Sequence, residues 1–316
     1  MTRHGILLKL QVINTTKEIA MKLLKSLTAL SVIVFITACT GNSKKEAASQ
    51  IPQTITQKVD GAVNDLDGKI SSYKLVAKLD HHRMAAEAGV YTPPSIVTIF
   101  SDSKVEVPII QANQLAALDM PFKVLSYAEA DTMEAKVAYT SAGFIQKRHS
   151  LDAGLLTDYT AKMNAALTAF PEAMISETDL MTVSEGFGII KTKSDFDFAT
   201  TVKNLKDIIM SQGDTKWFAD VDFQKDAAAM DITIEPNTLL LFGGPAPGGK
   251  AMMTSPKIGL DAFCQKLLVF QKENGEVWIA YNDIVAFAQL YYQNATKPQQ
   301  MINHRLTMVF TKAVSN

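Results

Sequence analysis

The residues with the clearest capacity for chemistry lie mostly in the first half of the chain. Asp80, His81 and His82 are consecutive, and His149 follows some seventy residues later. Imidazole and carboxylate groups ligate zinc or copper and also act as acids and bases, so Asp80, His81 and His149 form a candidate polar site. Neighbouring side chains at a strand end point to opposite faces, so His81 and His82 are not expected to share one ion. The spacing does not distinguish a metal site or an enzyme from exposed histidines that only form hydrogen bonds.

Cysteine and aspartate could also take part in catalysis, but their sequence context argues against this. Cys264 has no histidine close in sequence, and we interpret it as a buried apolar residue rather than a nucleophile. Asp119 and Asp261 each follow a leucine, and we interpret them as residues that stabilise a turn or the entry to a strand. The sequence therefore offers no complete nucleophilic or metal-binding motif.

A glycine-rich segment, Gly244-Pro-Ala-Pro-Gly-Gly-Lys250-Ala251, follows an apolar strand and partly matches a phosphate-binding loop. Ala251 supplies no hydroxyl for magnesium, and Pro245 and Pro247 remove two backbone N–H donors that a phosphate would need. We therefore predict a surface loop here and no bound cofactor.

The amino-terminal region has the layout of a secretory leader. A basic start at Met21 precedes an apolar run that is too short to span a membrane, and Ile36-Thr-Ala-Cys39 resembles the lipobox of bacterial lipoproteins. The resemblance implies cleavage before Cys39 and lipidation of its sulfur. We predict an upstream extension over residues 1–20, a signal peptide over 21–38 and a polar tether over 39–50.

The chain contains an internal repeat. Subtracting 142 from each position between 222 and 282 gives a register without gaps, in which 11 of 61 positions are identical. Such an offset predicts two related domains, and 316 residues suffice for two cores. We place the first repeat domain at 51–151, a linking helix and boundary at 152–185, the second repeat domain at 186–292 and a carboxy-terminal helix at 293–316.

Hydrophobic spacing predicts the same order of elements in both repeats. A helix precedes a strand, a short irregular or helical link, an apolar strand, a hairpin and a closing helix. Residues 187–193 form an additional strand at the start of the second repeat, and Asn274-Gly275 predicts a tight turn with positive φ at both residues. The first repeat lacks an obvious counterpart of the additional strand. Either that strand is missing, or another segment such as 181–184 replaces it.

Both repeats resemble the bacterial and archaeal family called domain of unknown function 302. The second copy carries the resemblance in Pro236-Asn-Thr-Leu-Leu-Leu-Phe-Gly-Gly and Glu276-Val-Trp-Ile-Ala-Tyr-Asn-Asp283, and the first in Asp80-His81 and in 118–125. The resemblance implies an α+β fold with two tandem copies of an antiparallel sheet packed with two helices, similar to the TATA-binding-protein arrangement. The second copy has Asp222-Phe223 where the family has Asp-His, so the first copy retains more of any shared polar site.

These features favour a non-catalytic protein of the bacterial cell envelope, anchored by lipid and facing the periplasm from the outer membrane. Removal of residues 1–38 leaves 26 basic and 31 acidic side chains. This negative net charge excludes the basic surface that is typical of a nucleic-acid-binding protein. We expect the duplicated domains to bind a small molecule or an envelope protein in a groove where they meet. The alternative is a metal-binding protein or enzyme that uses Asp80, His81 and His149.

Overall fold

The computed structural model describes residues 53–316. The predicted extension, signal peptide, lipidation site at Cys39 and tether lie outside the described residues. Within residues 53–316, no helix is both long enough and apolar enough to cross a membrane.

The first repeat begins with a helix whose amino end is capped as its sequence suggests. The Thr54 side chain accepts a hydrogen bond from the backbone N–H of Gln57, and the Gln57 side-chain oxygen accepts one from the backbone N–H of Thr54. From this helix to the one that links the repeats, the elements are α1 (Ile55–Ile70), β1 (Lys74–Asp80), α2 (His81–Glu87), β2 (Ser95–Ser101), α3 (Ser103–Ala112), β3 (Phe122–Tyr127), β4 (Lys136–Tyr139), α4 (Ala142–His149) and α5 (Thr157–Leu167).

The second repeat starts with an additional strand and ends with the longest of the described helices. Its elements are β5 (Ile189–Lys193), α6 (Phe198–Met210), β6 (Lys216–Asp222), α7 (Phe223–Ala228), β7 (Asn237–Gly243), α8 (Pro245–Met252), β8 (Gln265–Gln271), β9 (Val277–Asn282), α9 (Ile284–Tyr292) and α10 (Lys297–Val314). Two short 3₁₀ segments, Gln114–Leu118 and Pro256–Leu260, occupy equivalent places in the two repeats.

The fold is α+β with two antiparallel sheets, as predicted. The first sheet has four strands in the order β1-β2-β3-β4, and the second has five in the order β5-β9-β8-β7-β6. In the described part of the first repeat no strand corresponds to β5. Instead, Ile175 forms a single parallel bridge to Val137 on the outer edge of β4, whereas segment 181–184 forms no strand.

The offset of 142 residues relates the two repeats in structure as well as in sequence. It superimposes the bounds of β1 on β6, of β2 on β7 and of Gln114–Leu118 on Pro256–Leu260 without a shift. Even the register irregularity recurs, because β1 bulges between Leu75 and Ala77 and β6 between Trp217 and Ala219. The recurrence of a bulge at the same place supports the duplication.

The repeats interlock with approximate two-fold symmetry. The 3₁₀ segment of the first repeat packs on β7, β8 and β9, and that of the second packs on β2, β3 and β4. Helix α2 likewise contacts α8 while α3 contacts α7, which is the equivalent pair with the repeats exchanged. One continuous apolar cluster accordingly combines Phe100 and Phe122 of the first repeat with Leu260 and Leu268 of the second.

Two helices and one turn differ from the sequence-based expectation. The segments 103–112 and 245–252 are helical, although Pro108 lies inside the first and glycine and proline fill the second. At the β8–β9 turn only one of the two residues takes the predicted conformation, since Gly275 has a φ of +84° and Asn274 has no positive φ. The Asn274 side chain instead accepts a hydrogen bond from the backbone of Glu276.

Candidate functional site

A cluster of charged side chains lies buried where the two repeats meet. Asp119 closes the 3₁₀ segment of the first repeat, and its carboxylate accepts hydrogen bonds from Arg148 at 2.9 and 3.0 Å. His149 Nε2 lies 2.6 Å from the other side of this carboxylate, and Lys123 Nζ lies 3.6 Å away. Burial opposes ionisation of Asp119, but Arg148, Lys123 and His149 outweigh it and hold the pKa of this carboxyl well below its usual range.

Asp261 is the second buried carboxylate of this cluster, and it comes from the other repeat. Lys123 Nζ donates to Asp261 Oδ1 at 2.9 Å, so one lysine side chain joins the two carboxylates. The hydroxyl of Tyr291 donates to Asp261 Oδ2 at 2.5 Å. Burial and the negative charge of Asp261 raise the pKa of Tyr291 well above its usual value, so this hydroxyl keeps its proton.

The two-fold relation of the repeats explains the arrangement. Asp119 and Asp261 are equivalent under the offset of 142, and so are their partners His149 and Tyr291. The first repeat therefore uses an imidazole where the second uses a phenol. Asymmetry enters with Lys123, whose counterpart is Gln265.

Arg148 ties the cluster to the backbone of the second repeat. Its Nε donates to the carbonyl of Phe187 at 2.8 Å and its Nη2 to Asn282 Oδ1 at 2.6 Å, and Nη2 also lies 3.3 Å from the carbonyl of Gly188. Asn282 in turn donates to the carbonyl of Asp261 at 2.9 Å. With Nη1 on Asp119 of its own repeat and Nε and Nη2 on the second repeat, the guanidinium fixes the orientation of the two halves.

A second buried lysine completes the basic side of the cluster. Lys266 Nζ donates to the carbonyls of Leu260, Asp261 and Cys264 at 3.1 to 3.4 Å, and burial lowers its pKa to about 8. Asp119, Lys123 and Arg148 are no more than 1% exposed. The arrangement therefore forms a buried electrostatic contact between the two repeats.

The structure separates the predicted polar residues instead of gathering them. Asp80 caps α2 through the backbone N–H of Arg83 and forms an ion pair with the Arg83 guanidinium. His81 is buried against the second repeat, and His149 belongs to the charged cluster. Among residues 53–316, no three histidine, cysteine or carboxylate side chains are placed to share a metal ion. Asp80, His81 and His149 therefore do not form a common ligand set.

Other interpretations made from the sequence are modified by the geometry. Asp119 and Asp261, which we interpreted as turn residues, do end the 3₁₀ segments, but their carboxylates form the buried ion pairs described above. Cys264 is a buried thiol, as interpreted. The predicted surface loop at 245–251 is wrong, because this segment forms α8 and packs on α2.

Close packing explains the glycines of α8 without any phosphate. A Cβ atom added at Gly249 would lie 2.6 Å from the Cβ of Ala85 on α2. A Cβ at Gly248 would stand 3.4 Å from the Phe263 ring. Gly249 thus permits α2 and α8 to approach each other closely across the junction of the repeats, and Gly248 leaves room for the Phe263 ring.

Sequence reasoning missed Lys123, Arg148 and Lys266. Lys123 and Lys266 each interrupt an apolar strand segment, Phe122-Lys-Val-Leu125 and Gln265-Lys-Leu-Leu268. A lysine inside a strand that is otherwise apolar on both faces signals a buried charge that requires a partner. Arg148 precedes His149 on α4 and gave no separate signal.

An open cleft with a volume of about 620 Å³ runs along the junction on one side of the molecule. The first repeat contributes the end of α3 and Gln114, and the second contributes 233–237 and the β8–β9 turn. Gln114 Nε2 donates to the carbonyl of Gln271 at 2.7 Å, and Asn237 Nδ2 donates to the carbonyl of Gln114 at 3.3 Å. Asn237 Oδ1 is buried and has no hydrogen-bond partner within the described chain.

Comparison with known proteins gives the family but no activity. The family model described as domain of unknown function DUF302 matches residues 51–170 and 190–312. A crystal structure of an uncharacterized conserved DUF302 protein from Bacillus stearothermophilus is similar to the chain at 12% identity, covering 40% of this chain and 95% of that one with a TM-score of 0.34. No curated protein matches. With two regions of the chain matched by one family model, the protein belongs to the DUF302 family and carries two copies of its domain.

Proposed function

We propose that this chain is a non-catalytic binding protein that holds a small polar molecule in the cleft between its repeats. The observation that carries the proposal is Asn237, a buried side chain in the cleft wall whose Oδ1 lacks a donor. A buried acceptor without a partner costs about 1–3 kcal/mol, and a ligand that donates a hydrogen bond there recovers this energy. The volume of about 620 Å³ suits a small molecule.

The residues of the cleft indicate the chemistry of the ligand. Gln111 and Gln114 offer amide groups from one repeat, and Glu235, Lys272 and Asn274 offer charges of both signs and an amide from the other. Such a mixed lining suits a molecule with several hydroxyl, amino or amide groups rather than an apolar compound or a large anion. Amino acids and small saccharides have this character.

We also propose that the protein is held at the bacterial envelope by lipid on Cys39. The support is the sequence Ile36-Thr-Ala-Cys39 after a short apolar run, followed by a polar tether. A protein placed there would meet small polar solutes of the periplasm. The envelope location and the cleft are independent proposals, since each fails without affecting the other.

The binding proposal is tested on the full chain with a panel of neutral amino acids and mono- and disaccharides. Thermal unfolding is followed with each compound, and isothermal calorimetry gives the Kd of any compound that raises the Tm. A ligand present at 100 times its Kd stabilises the folded state by about 2.7 kcal/mol. If no compound of these classes binds, or if binding does not depend on the cleft, the proposal is wrong.

Two variants locate the binding site. Asn237→Ser introduces the residue that the first repeat carries at the equivalent position, Ser95, and should weaken binding about tenfold by removing the amide acceptor. Lys203→Ala changes an exposed lysine on α6, away from the cleft lining, and should leave the Kd unchanged. Equal affinities of the wild type and Asn237→Ser would refute the role of Asn237.

A further inference from the structure

A small cavity between α2, α8 and the start of β8 is lined by an imidazole and by sulfur-containing side chains, which can ligate a metal ion and which the cleft lacks. His81 and Met84 reach it from α2, Met252 from α8, and Cys264 from the residue before β8. The cavity has a volume of about 20 Å³, which is room for one water-sized particle and nothing larger. Both repeats contribute to it, so the cavity exists only in the assembled fold.

His81 is a buried polar residue of this cavity with an unpaired ring nitrogen. Its side chain is only 8% exposed, and its Nε2 has no hydrogen-bond partner within residues 53–316. A neutral imidazole has a lone pair on one ring nitrogen, and Nε2, which has no hydrogen-bond partner in the described chain, can offer that lone pair to a metal ion.

Cys264 supplies the second donor. Its thiol is 2% exposed and forms no disulfide within residues 53–316. A cation that displaces the thiol proton would gain a thiolate ligand.

We propose that this cavity is a binding site for a single Cu(I) ion, ligated by the Cys264 thiolate and His81 Nε2 with thioether support from Met84 and Met252. The choice of metal follows from the donors. Thiolate and thioether sulfur select Cu(I), whereas zinc favours four ligands from cysteine, histidine and carboxylates. Binding is balanced by release of one proton, since Cu(I) replaces the hydrogen of the Cys264 thiol.

This site differs from the metal site considered on sequence grounds. It joins His81 with a cysteine and two methionines, and it includes neither Asp80 nor His149. Only two of its metal-ligating side chains are histidine or cysteine. In the described chain no three histidine, cysteine, aspartate or glutamate side chains are placed to hold a metal ion together, and a site completed by methionines agrees with this. It is also separate from the cleft, whose lining shares none of these residues.

The experiment uses the full chain with Cys39→Ser, so that Cys264 is its one cysteine. Cu(I) is added anaerobically in the presence of a chromophoric Cu(I) chelator, and the competition gives stoichiometry and affinity. We expect one equivalent of Cu(I) and a thiolate-to-copper absorption band in the ultraviolet. No binding, or Zn²⁺ bound in preference to Cu(I), would overturn the proposal.

Variants test the ligand set on the same background. His81→Phe introduces the residue of the second repeat, Phe223, and Cys264→Ala removes the thiol; each should weaken Cu(I) binding more than about 100-fold, because even outer-shell changes cost 10- to 100-fold. His304→Ala, which alters an exposed histidine, is the control and should bind as the parent does. Unchanged affinity in both ligand variants would show that copper binds elsewhere.

Met84→Leu and Met252→Leu keep the test decisive if Cys264→Ala fails to fold. Leucine preserves the volume of methionine and removes the sulfur, so the fold should survive while Cu(I) affinity falls about tenfold. X-ray absorption of the copper-loaded parent should show one nitrogen together with sulfur donors. An absorption spectrum with only oxygen and nitrogen donors would contradict the site.

Discussion

Arg148 offers the sharpest test of the charged junction between the repeats. The substitution Arg148→Leu introduces the residue that the second repeat carries at the equivalent position, Leu290, and therefore suits the helix. It removes the guanidinium whose Nη1 donates to both carboxylate oxygens of Asp119, and it leaves the carbonyl of Phe187 and the amide oxygen of Asn282 without their donor. The fold should survive but lose much of its stability.

The size of the loss follows from the surroundings. Removing one partner of a buried ion pair costs about 3–5 kcal/mol, because the other charge stays buried. Lys123 and His149 still face Asp119, so we expect the lower end, about 3 kcal/mol. For a domain of this size each kcal/mol lowers the Tm by about 2–4 °C, which gives a decrease of roughly 6–12 °C.

Urea unfolding followed by circular dichroism measures this free energy, and a thermal scan measures the Tm. The matched control is Lys203→Leu, which breaks an exposed ion pair with Asp207 on α6 and should change stability by less than about 0.5 kcal/mol. The double variant Asp119→Leu, Arg148→Leu should lose less stability than the sum of the two single variants. A loss below about 1 kcal/mol for Arg148→Leu would refute the reasoning.

Three further changes test other features. Burial raises the pKa of Glu106 to about 7, above its value in the unfolded chain. The free energy of unfolding should therefore fall by about 3 kcal/mol as pH rises from about 4.5 to 7. In urea titrations, Glu106→Gln should abolish this dependence of the unfolding free energy on pH. Gly249→Ala should destabilise by about 1–3 kcal/mol through its clash with Ala85, whereas Gly68→Ala on open helix surface should stabilise by about 0.5–1 kcal/mol, both measured by thermal unfolding. Cys39→Ala should abolish incorporation of an alkyne-labelled fatty acid in a bacterial host.

Each of these outcomes has a clear contrary result. A Glu106→Gln variant with the pH profile of the parent would show that folding does not shift the pKa of this carboxyl. Equal stability of Gly249→Ala and the parent would mean that α2 and α8 are free to separate. Lipid labelling that persists in Cys39→Ala would place the modification elsewhere or nowhere.

The sequence was sufficient to predict the order of elements wherever apolar spacing was regular. The apolar spacing predicts a helix face formed by Ile55, Val59, Val63, Leu66 and Ile70, and helix α1 buries all of these except Ile55, which is half-buried. Helices α3 and α8 were missed because proline and glycine lower helix propensity, and tertiary packing compensates for this in the folded chain. Local patterns do not report such compensation.

The buried site was less predictable, because its members come from distant parts of the chain. Asp119 meets His149 across thirty residues, and Lys123 meets Asp261 across 138. The repeat register could identify Asp119 and Asp261 as equivalent, but it could not place them side by side. That step depends on the interlocking of the repeats, which neither copy encodes alone.

The exchange of the 3₁₀ segments has a consequence for how the protein folds. Gln114–Leu118 packs on the strands of the second sheet and Pro256–Leu260 on those of the first, so each core is completed only by chain distant in sequence. Such non-local contacts raise the contact order, so the rate-limiting step of folding should wait until both copies have been synthesised. The two copies should thus unfold in a single cooperative transition, and neither should be an autonomous folding unit.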